Sequence, residues 1–224
     1  MNKGKIIVIE GSCDGIGKST QLKLLKEHLI KDGYEVVNHH FPSYHTYQGV
    51  PVEKYLQGEY GNVSELSPYF INSLYAIDRA ITWKTELEPL YNAGKVILLD
   101  RYTTSSLIYQ SSLIEDIEER KSFIDYVIDF EYNKLGIKKP DKVIFLTAPF
   151  EFVQNIRNAR ENNDGIQNDI HERDITFLKK VYDNALFVAN YLSFDIVECS
   201  TNSKMDSPTD IHNKVYQLSI NNKN

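Results

Sequence analysis

Residues 6–21 read IIVIEGSCDGIGKSTQ. Four apolar residues, Ile6 to Ile9, have the pattern of a parallel strand buried on both faces. A glycine-rich turn follows, and Lys18-Ser19-Thr20 opens a helix. Strand, glycine-rich turn, Gly-Lys-Ser and helix is the order that a phosphate-binding loop requires. Glycines let backbone N–H groups turn toward phosphate oxygens, and the positive end of the helix dipole adds to their pull. Gly15, Ile16, Gly17, Lys18, Ser19 and Thr20 are therefore the expected triphosphate cradle. Lys18 would reach the β- and γ-phosphates, and the Ser19 hydroxyl would ligate Mg2+. The strict spacing asks for a glycine at position 12, where Ser12 stands one place after Gly11. Either Ser12 fills that position or the turn carries one extra residue.

The bulk numbers narrow the rest. A chain of 224 residues holds one α/β domain of ordinary size, and the whole of 1–224 is read as a single domain. A net charge of −6 argues against a nucleic-acid partner but not against a nucleotide, which needs only a few local cations. No apolar run approaches the roughly 18 residues of a membrane span, and the apolar run at the N-terminus is too short for a signal peptide. Cys13 and Cys199 make no metal-ligand spacing, so a reducing, cytoplasmic setting is expected. Arginine is scarce, six against nineteen lysines. Since Arg grips phosphate bidentately where Lys cannot, Arg79, Arg101, Arg157 and Arg160 each point to a geometric need.

Along the chain, strands and helices alternate. A helix over about 18–32 ends at Gly33, and a strand follows near 35–40. His39, His40 and His45 lie close together, but strand-end polarity explains them better than a metal site. Val50–Gln57 reads as a short helix. Ser67-Pro68 is a helix start, with Ser as cap and Pro in the first turn, and this helix should run to about Tyr91. Tyr75 and Arg79, four apart, share one face of it. Val96–Leu99 is a buried strand ending in Asp100-Arg101, where ligands of parallel sheets bind. There Asp100 could approach Mg2+ or its waters. Thr103 to Ser106 leads into a helix carrying Tyr109 and Gln110, and a helix near 117–135, a strand at 142–147, a helix from Pro149, a helix at 170–192, a strand at 194–199 and a helix at 208–220 complete the pattern. The polar segment 161–169, rimmed by Arg157 and Arg160, reads as a mobile lid. The fold class is α/β, a five-stranded parallel sheet with helices on both faces.

With these residues in view, the chain resembles the thymidylate kinase family over nearly its whole length. The resemblance rests on Glu10-Gly11 with Asp14-Gly15-Ile16-Gly17-Lys18-Ser19-Thr20, on Phe41-Pro42, on the Tyr75/Arg79 pair, and on Asp100-Arg101-Tyr102 with Ser105, Ser106 and Tyr109. It implies a P-loop kinase fold with a lid over about 157–173, and transfer of the ATP γ-phosphoryl to dTMP with Mg2+ as cofactor. It implies that Asp14, Phe41, Tyr75, Arg79, Arg101, Ser105, Ser106, Tyr109 and Gln110 hold dTMP. Arg79 would read the thymine edge, Tyr75 would stack on the ring, Arg101 would hold the phosphate and Tyr109 would crowd the 2′ position. On the same resemblance Lys18, Asp100, Arg101, Arg157 and Arg160 would carry the catalytic roles, with Ser19 and Asp100 at the metal and Glu172 and Arg173 closing the lid. A homodimer is the family expectation. Ser43, Tyr44 and His45 stand where the family has an Arg after Phe-Pro. Phosphate binding would then rest more on Arg101, with His45 or a lid Arg assisting. Cys13, near a helix N-terminus, is expected to have a lowered pKa and to be oxidisable.

A deoxynucleoside kinase shares the loop and the fold, and a nucleotide-binding regulatory protein that has lost catalysis is the alternative from another class. A GTPase would need Asn-Lys-x-Asp, and Asn133-Lys134-Leu135 lacks the Asp.

Overall fold

A computed structural model describes residues 3–152, 175–202 and 204–220. The lid arginines Arg157 and Arg160, and Glu172 and Arg173, lie outside these described residues.

Five parallel strands form the sheet: β1 (Lys5–Gly11), β2 (Val36–His40), β3 (Val96–Asp100), β4 (Lys142–Thr147) and β5 (Asp195–Glu198). Their spatial order is β2-β3-β1-β4-β5. Successive side chains of a strand point to opposite faces, and β1 buries both sets. Ile7 and Ile9 pack with Leu22, Leu25 and Leu29 of helix α1 (Lys18–Lys31). Ile6 and Val8 pack on the other face with Phe41, Trp83, Leu87 and Tyr91. Fully burying each such side chain contributes roughly 1.5–3 kcal/mol, so a strand with no polar face is held firmly in the middle of the sheet.

Helix α2 spans Val50–Leu56 and α3 spans Pro68–Thr82. Ser67 caps α3 as its position predicts, accepting from the Tyr69 N–H at 3.2 Å. The helical path continues through a π-helical stretch, Trp83–Leu87, into α4 (Glu88–Asn92). Helix α5 is Thr103–Tyr109 and α6 is Ile117–Ile128, which runs into a second π-helical stretch, Asp129–Lys134. Helix α7 (Ile175–Tyr191) packs with α5 and α6 around Phe123, Phe145 and Val188. A two-stranded hairpin, Ser200–Thr201 with Lys204–Met205, follows β5 and was not expected from the sequence. Helix α8 (Pro208–Ile220) closes the face that α1 covers. Helices therefore lie on both faces.

The topology positions the site. β1 pairs with both β3 and β4, and Ile9 stands opposite Asp100. The turn after β1 and the turn after β3 thus emerge side by side at the carboxyl edge, where open α/β sheets bind ligands.

Candidate active site

Gly11 is still in the ladder, opposite Leu146, and the Ser12 N–H donates to the Leu146 carbonyl at 2.9 Å. A Cβ on Gly11 would sit 2.6 Å from Ile16 Cγ2. The close approach that demands glycine is at 11, so the turn is the longer of the two alternatives, running from Ser12 to Ile16 before Gly17. Gly17 takes φ 100°, a left-handed conformation suited to glycine, and precedes α1 without a side-chain cap. The first N–H groups of α1 have no intrahelical partner, which suits an anion at this helix end. Ser19 and Thr20 are exposed there, while Lys18 is buried along its stem.

Asp14 ties the turn to β3. It accepts from Lys18 Nζ at 3.1 Å and from Arg101 Nη2, and Tyr109 donates to its other oxygen at 3.4 Å. Burial alone would raise the Asp14 carboxyl, but Arg101 and Lys18 outweigh it and hold the group far below the usual carboxylate range. The Arg101 guanidinium lies 5.3 Å from the centre of the Tyr109 ring. Arg101 adopts φ 64°, a conformation rare for a residue with a Cβ and typical of functional turns.

Asp100 pairs by register with His40 on β2, and its Oδ2 lies 3.1 Å from His40 Nδ1. Burial raises the Asp100 carboxyl, but its bond to His40 and the nearby Lys18 and Arg101 lower it further, leaving it ionised. Its Oδ1 is buried with no hydrogen-bond partner. An orphaned carboxylate oxygen beside a phosphate loop fits Mg2+ or one of its waters. Among the described residues no three His, Cys, Asp or Glu side chains cluster as a metal site.

The predicted nucleotide-binding residues come together. Asp14, Phe41, Tyr75, Arg79, Arg101, Ser105, Ser106, Tyr109 and Gln110 all line one cavity of about 300 Å³. His40 and Tyr44, noted in the sequence but not as cavity residues, line it too, as do Leu56 and Leu178, which the sequence did not single out. Arg79 is 2% exposed. Its Nε and Nη2 donate to the two oxygens of Glu131 at 2.7 and 2.6 Å, and Nη2 also donates to Ser106 Oγ at 2.8 Å. Its Nη1 has only a long contact, 3.4 Å, to the Tyr102 carbonyl. Gln110 Oε1 is buried with no partner. Ser105, besides lining the cavity, donates to Glu10 Oε2 at 2.5 Å. Glu10 also takes the Gly11 N–H at 3.1 Å and Thr104 Oγ1 at 3.0 Å, so it braces the phosphate loop against α5.

Two expectations fail. The His45 side chain is 93% exposed and does not line the cavity, because Glu53 captures its backbone N–H and φ is 62°. Ser43 turns inward as well, its N–H on Asp78 Oδ2 at 2.8 Å and its hydroxyl 3.0 Å from Thr82 Oγ1. The Cys13 thiol is not lowered either. Burial pushes it up to about 11, against smaller opposite pulls from Ser12 and Lys18. Enclosure outweighs the helix end.

A family model described as thymidylate kinase matches residues 9–211. The chain belongs to the thymidylate kinase family. The thymidylate kinase of Thermoanaerobacter sp. (strain X514) is 38% identical over 159 residues, covering 71% of this chain and 73% of that protein. A probable thymidylate kinase of Thermococcus kodakarensis is 31% identical over 221 residues, 95% of both chains. Among solved structures, the thymidylate kinase of Candida albicans superposes with a TM-score of 0.70 at 23% identity, covering 96% of this chain and 91% of that one. This likeness shows the P-loop kinase fold of the family. Neither the nucleoside kinase nor the regulatory alternative finds support in these relatives.

Proposed function

We propose that the cavity holds dTMP while the phosphate loop holds ATP, each residue acting in the role given it above. The chain is a thymidylate kinase, an ATP:dTMP phosphotransferase that yields dTDP. One observation carries the assignment of the cavity: Gln110 and Arg79, which carry an unsatisfied acceptor (Oε1) and an under-used donor (Nη1), line the same pocket. Thymine offers an N–H at N3 and a carbonyl oxygen at C4, the complement of that pair. Cytosine offers an acceptor at N3 and an amino group at C4, and would leave both protein groups opposed by like partners.

The chemistry asks for little beyond placement and positive charge. An oxygen of the dTMP phosphate attacks the γ-phosphoryl in line with the departing ADP oxygen. Lys18 lies on the triphosphate side and Arg101 on the monophosphate side, with Asp14 between them. Displaced by substrate, both cations would turn from Asp14 to phosphate oxygens. Ser19 and Asp100 would hold Mg2+, directly or through water, and the ion when bound neutralises phosphate charge. Tyr109 stands where a ribose 2′-hydroxyl would be crowded. Arg157 and Arg160 are proposed as lid cations within 157–173. Closure of such a lid would keep water from the γ-phosphoryl.

We further propose a single domain over 1–224, a cytoplasmic location and a homodimer. No helix among the described residues is long and apolar enough to cross a membrane. Supporting the dimer, Phe70 and Ile77 of α3 are 42% and 44% exposed, and Tyr126 of α6 is 39% exposed.

A coupled ADP-release assay with ATP·Mg2+ against dTMP, dUMP, dCMP, dGMP, thymidine and no acceptor tests the assignment. Turnover should be greatest on dTMP. Greater turnover on thymidine, or none on any acceptor, would overturn it.

A further inference from the structure

Glu131 is fully buried in the π-helical stretch 129–134, at 0% exposure, and takes no part in the chemistry described above. Its carboxylate accepts from three donors. Arg79 Nε and Nη2 approach it side by side, and Thr103 Oγ1 donates to Oε2 at 2.8 Å. A guanidinium has five N–H donors in a fixed planar fork. Glu131 takes the Nε edge, and Ser106 takes the remaining Nη2 proton. What is left for the cavity is Nη1. A flexible arginine could offer any edge to a base; this one is locked into offering one.

We propose that Glu131 is a positioning residue for base recognition: by gripping the Nε/Nη2 edge of Arg79 it fixes Nη1 as the single donor facing the pyrimidine, and so sets the preference for a 4-oxo base. The inference rests on the dTMP reading of the cavity. The geometry explains its placement. A π-helical turn widens the helix by one residue and re-aims a side chain, a device common at functional sites. Here it turns an acid between Phe130 and Tyr132 into the protein interior. The arrangement also has a cost that a structural salt bridge need not carry. Two fully desolvated charges gain little net stability over an apolar pair, so the presence of the pair is better explained by orientation than by stability.

The test is dTMP binding by calorimetry without ATP, in the full chain, alongside steady-state KM values and melting temperatures. Glu131→Gln keeps the shape but supplies one acceptor where two are needed. Affinity for dTMP should fall about tenfold, the loss of a charge-assisted bond, and the dTMP-over-dCMP ratio should fall with it. KM for ATP should stay within about twofold. In an Arg79→Ala background the same substitution should leave dTMP affinity unchanged, because nothing remains to position. Thr103→Val, which removes one donor to Glu131, gives a milder variant with an expected loss of about threefold in dTMP affinity. If Glu131→Gln or Thr103→Val lowered the melting temperature while dTMP affinity and base ratio held, Glu131 would be structural only and the inference overturned. An equal dTMP loss with and without Arg79 would overturn it too. If the unaltered protein bound no dTMP, the cavity reading itself would fall, and the inference with it.

Discussion

Arg101 donates to Asp14, joining the turn after β3 to the phosphate loop after β1. These two turns are neighbours only because β1 and β3 pair in the sheet. On the proposed reading the bond would lie between the two nucleotides, and an arriving phosphate would compete with Asp14 for the same guanidinium. Arg101→Ala should therefore lower kcat/KM for dTMP by about a hundredfold or more, the scale of removing one preorganised charge donor from a transition state. Arg101→Lys should recover only part of it, since an ammonium lacks the fork that spans two oxygens. A Lys variant as active as the unaltered enzyme in steady-state assays would show that a point charge suffices.

Ile77 is the residue to change for the assembly. It is 44% exposed on α3, one face away from the buried Arg79 and Asp78. Phe70 and Tyr69 continue the same apolar surface, and Tyr69 meets Tyr126 edge-on with ring centres 4.8 Å apart. A two-fold interface would bring such a stripe against its own copy. Ile77→Glu would then set like charges opposite one another, and light scattering at micromolar concentration should report a monomer where the unaltered chain reports a dimer. A monomeric unaltered chain would remove the proposal.

Cys13 carries the third prediction, in the direction opposite to the sequence expectation. With its pKa raised to about 11 by burial, the thiolate that attacks oxidants is scarce at neutral pH. In a Cys199→Ala background, iodoacetamide at pH 7.5 should label Cys13 at least about tenfold more slowly than free cysteine. Dilute peroxide should leave turnover unchanged. Rapid labelling would show that the loop opens far more than its hydrogen bonds allow.

The particular residues show why the sequence was legible where it was. The fold could be read because Ile6 to Ile9 and Val96 to Leu99 are apolar on both faces, a demand only a central parallel strand makes. The nine cavity residues could be named through the resemblance to the thymidylate kinase family, whereas spacing alone only set Tyr75 and Arg79 on one helical face and Arg101 at a strand end. Glu131 was invisible for the opposite reason. Its partner is 52 positions away, and its orientation depends on a π-helical turn that has no sequence period of its own. His45 was misplaced because a left-handed backbone at a non-glycine residue is not written in residue type. Cys13 was misjudged because a helix end was weighed without the enclosure around it.

His212 gives a pH test remote from the site. It lies on α8, with Nε2 3.0 Å from His28 Nδ1 of α1, and Tyr216 stacks on His28 at 3.6 Å. Burial lowers the His212 pKa, and His28 lowers it further. Its Nδ1 is buried with no partner. The unfolded chain therefore takes up a proton near pH 6.5 that the folded chain refuses until lower pH. In that window the unfolded state binds more protons, so stability rises with pH and is lost as pH falls below about 6.5. His39, also lowered by burial, adds with the same sign. The melting temperature should drop between pH 7 and 5, and the drop should be smaller in His212→Gln, which cannot take the proton. The α1/α8 packing is where the loss originates, because protonated His212 would place a charge in the buried contact between these helices. Identical slopes for the two proteins would place the acid sensitivity elsewhere.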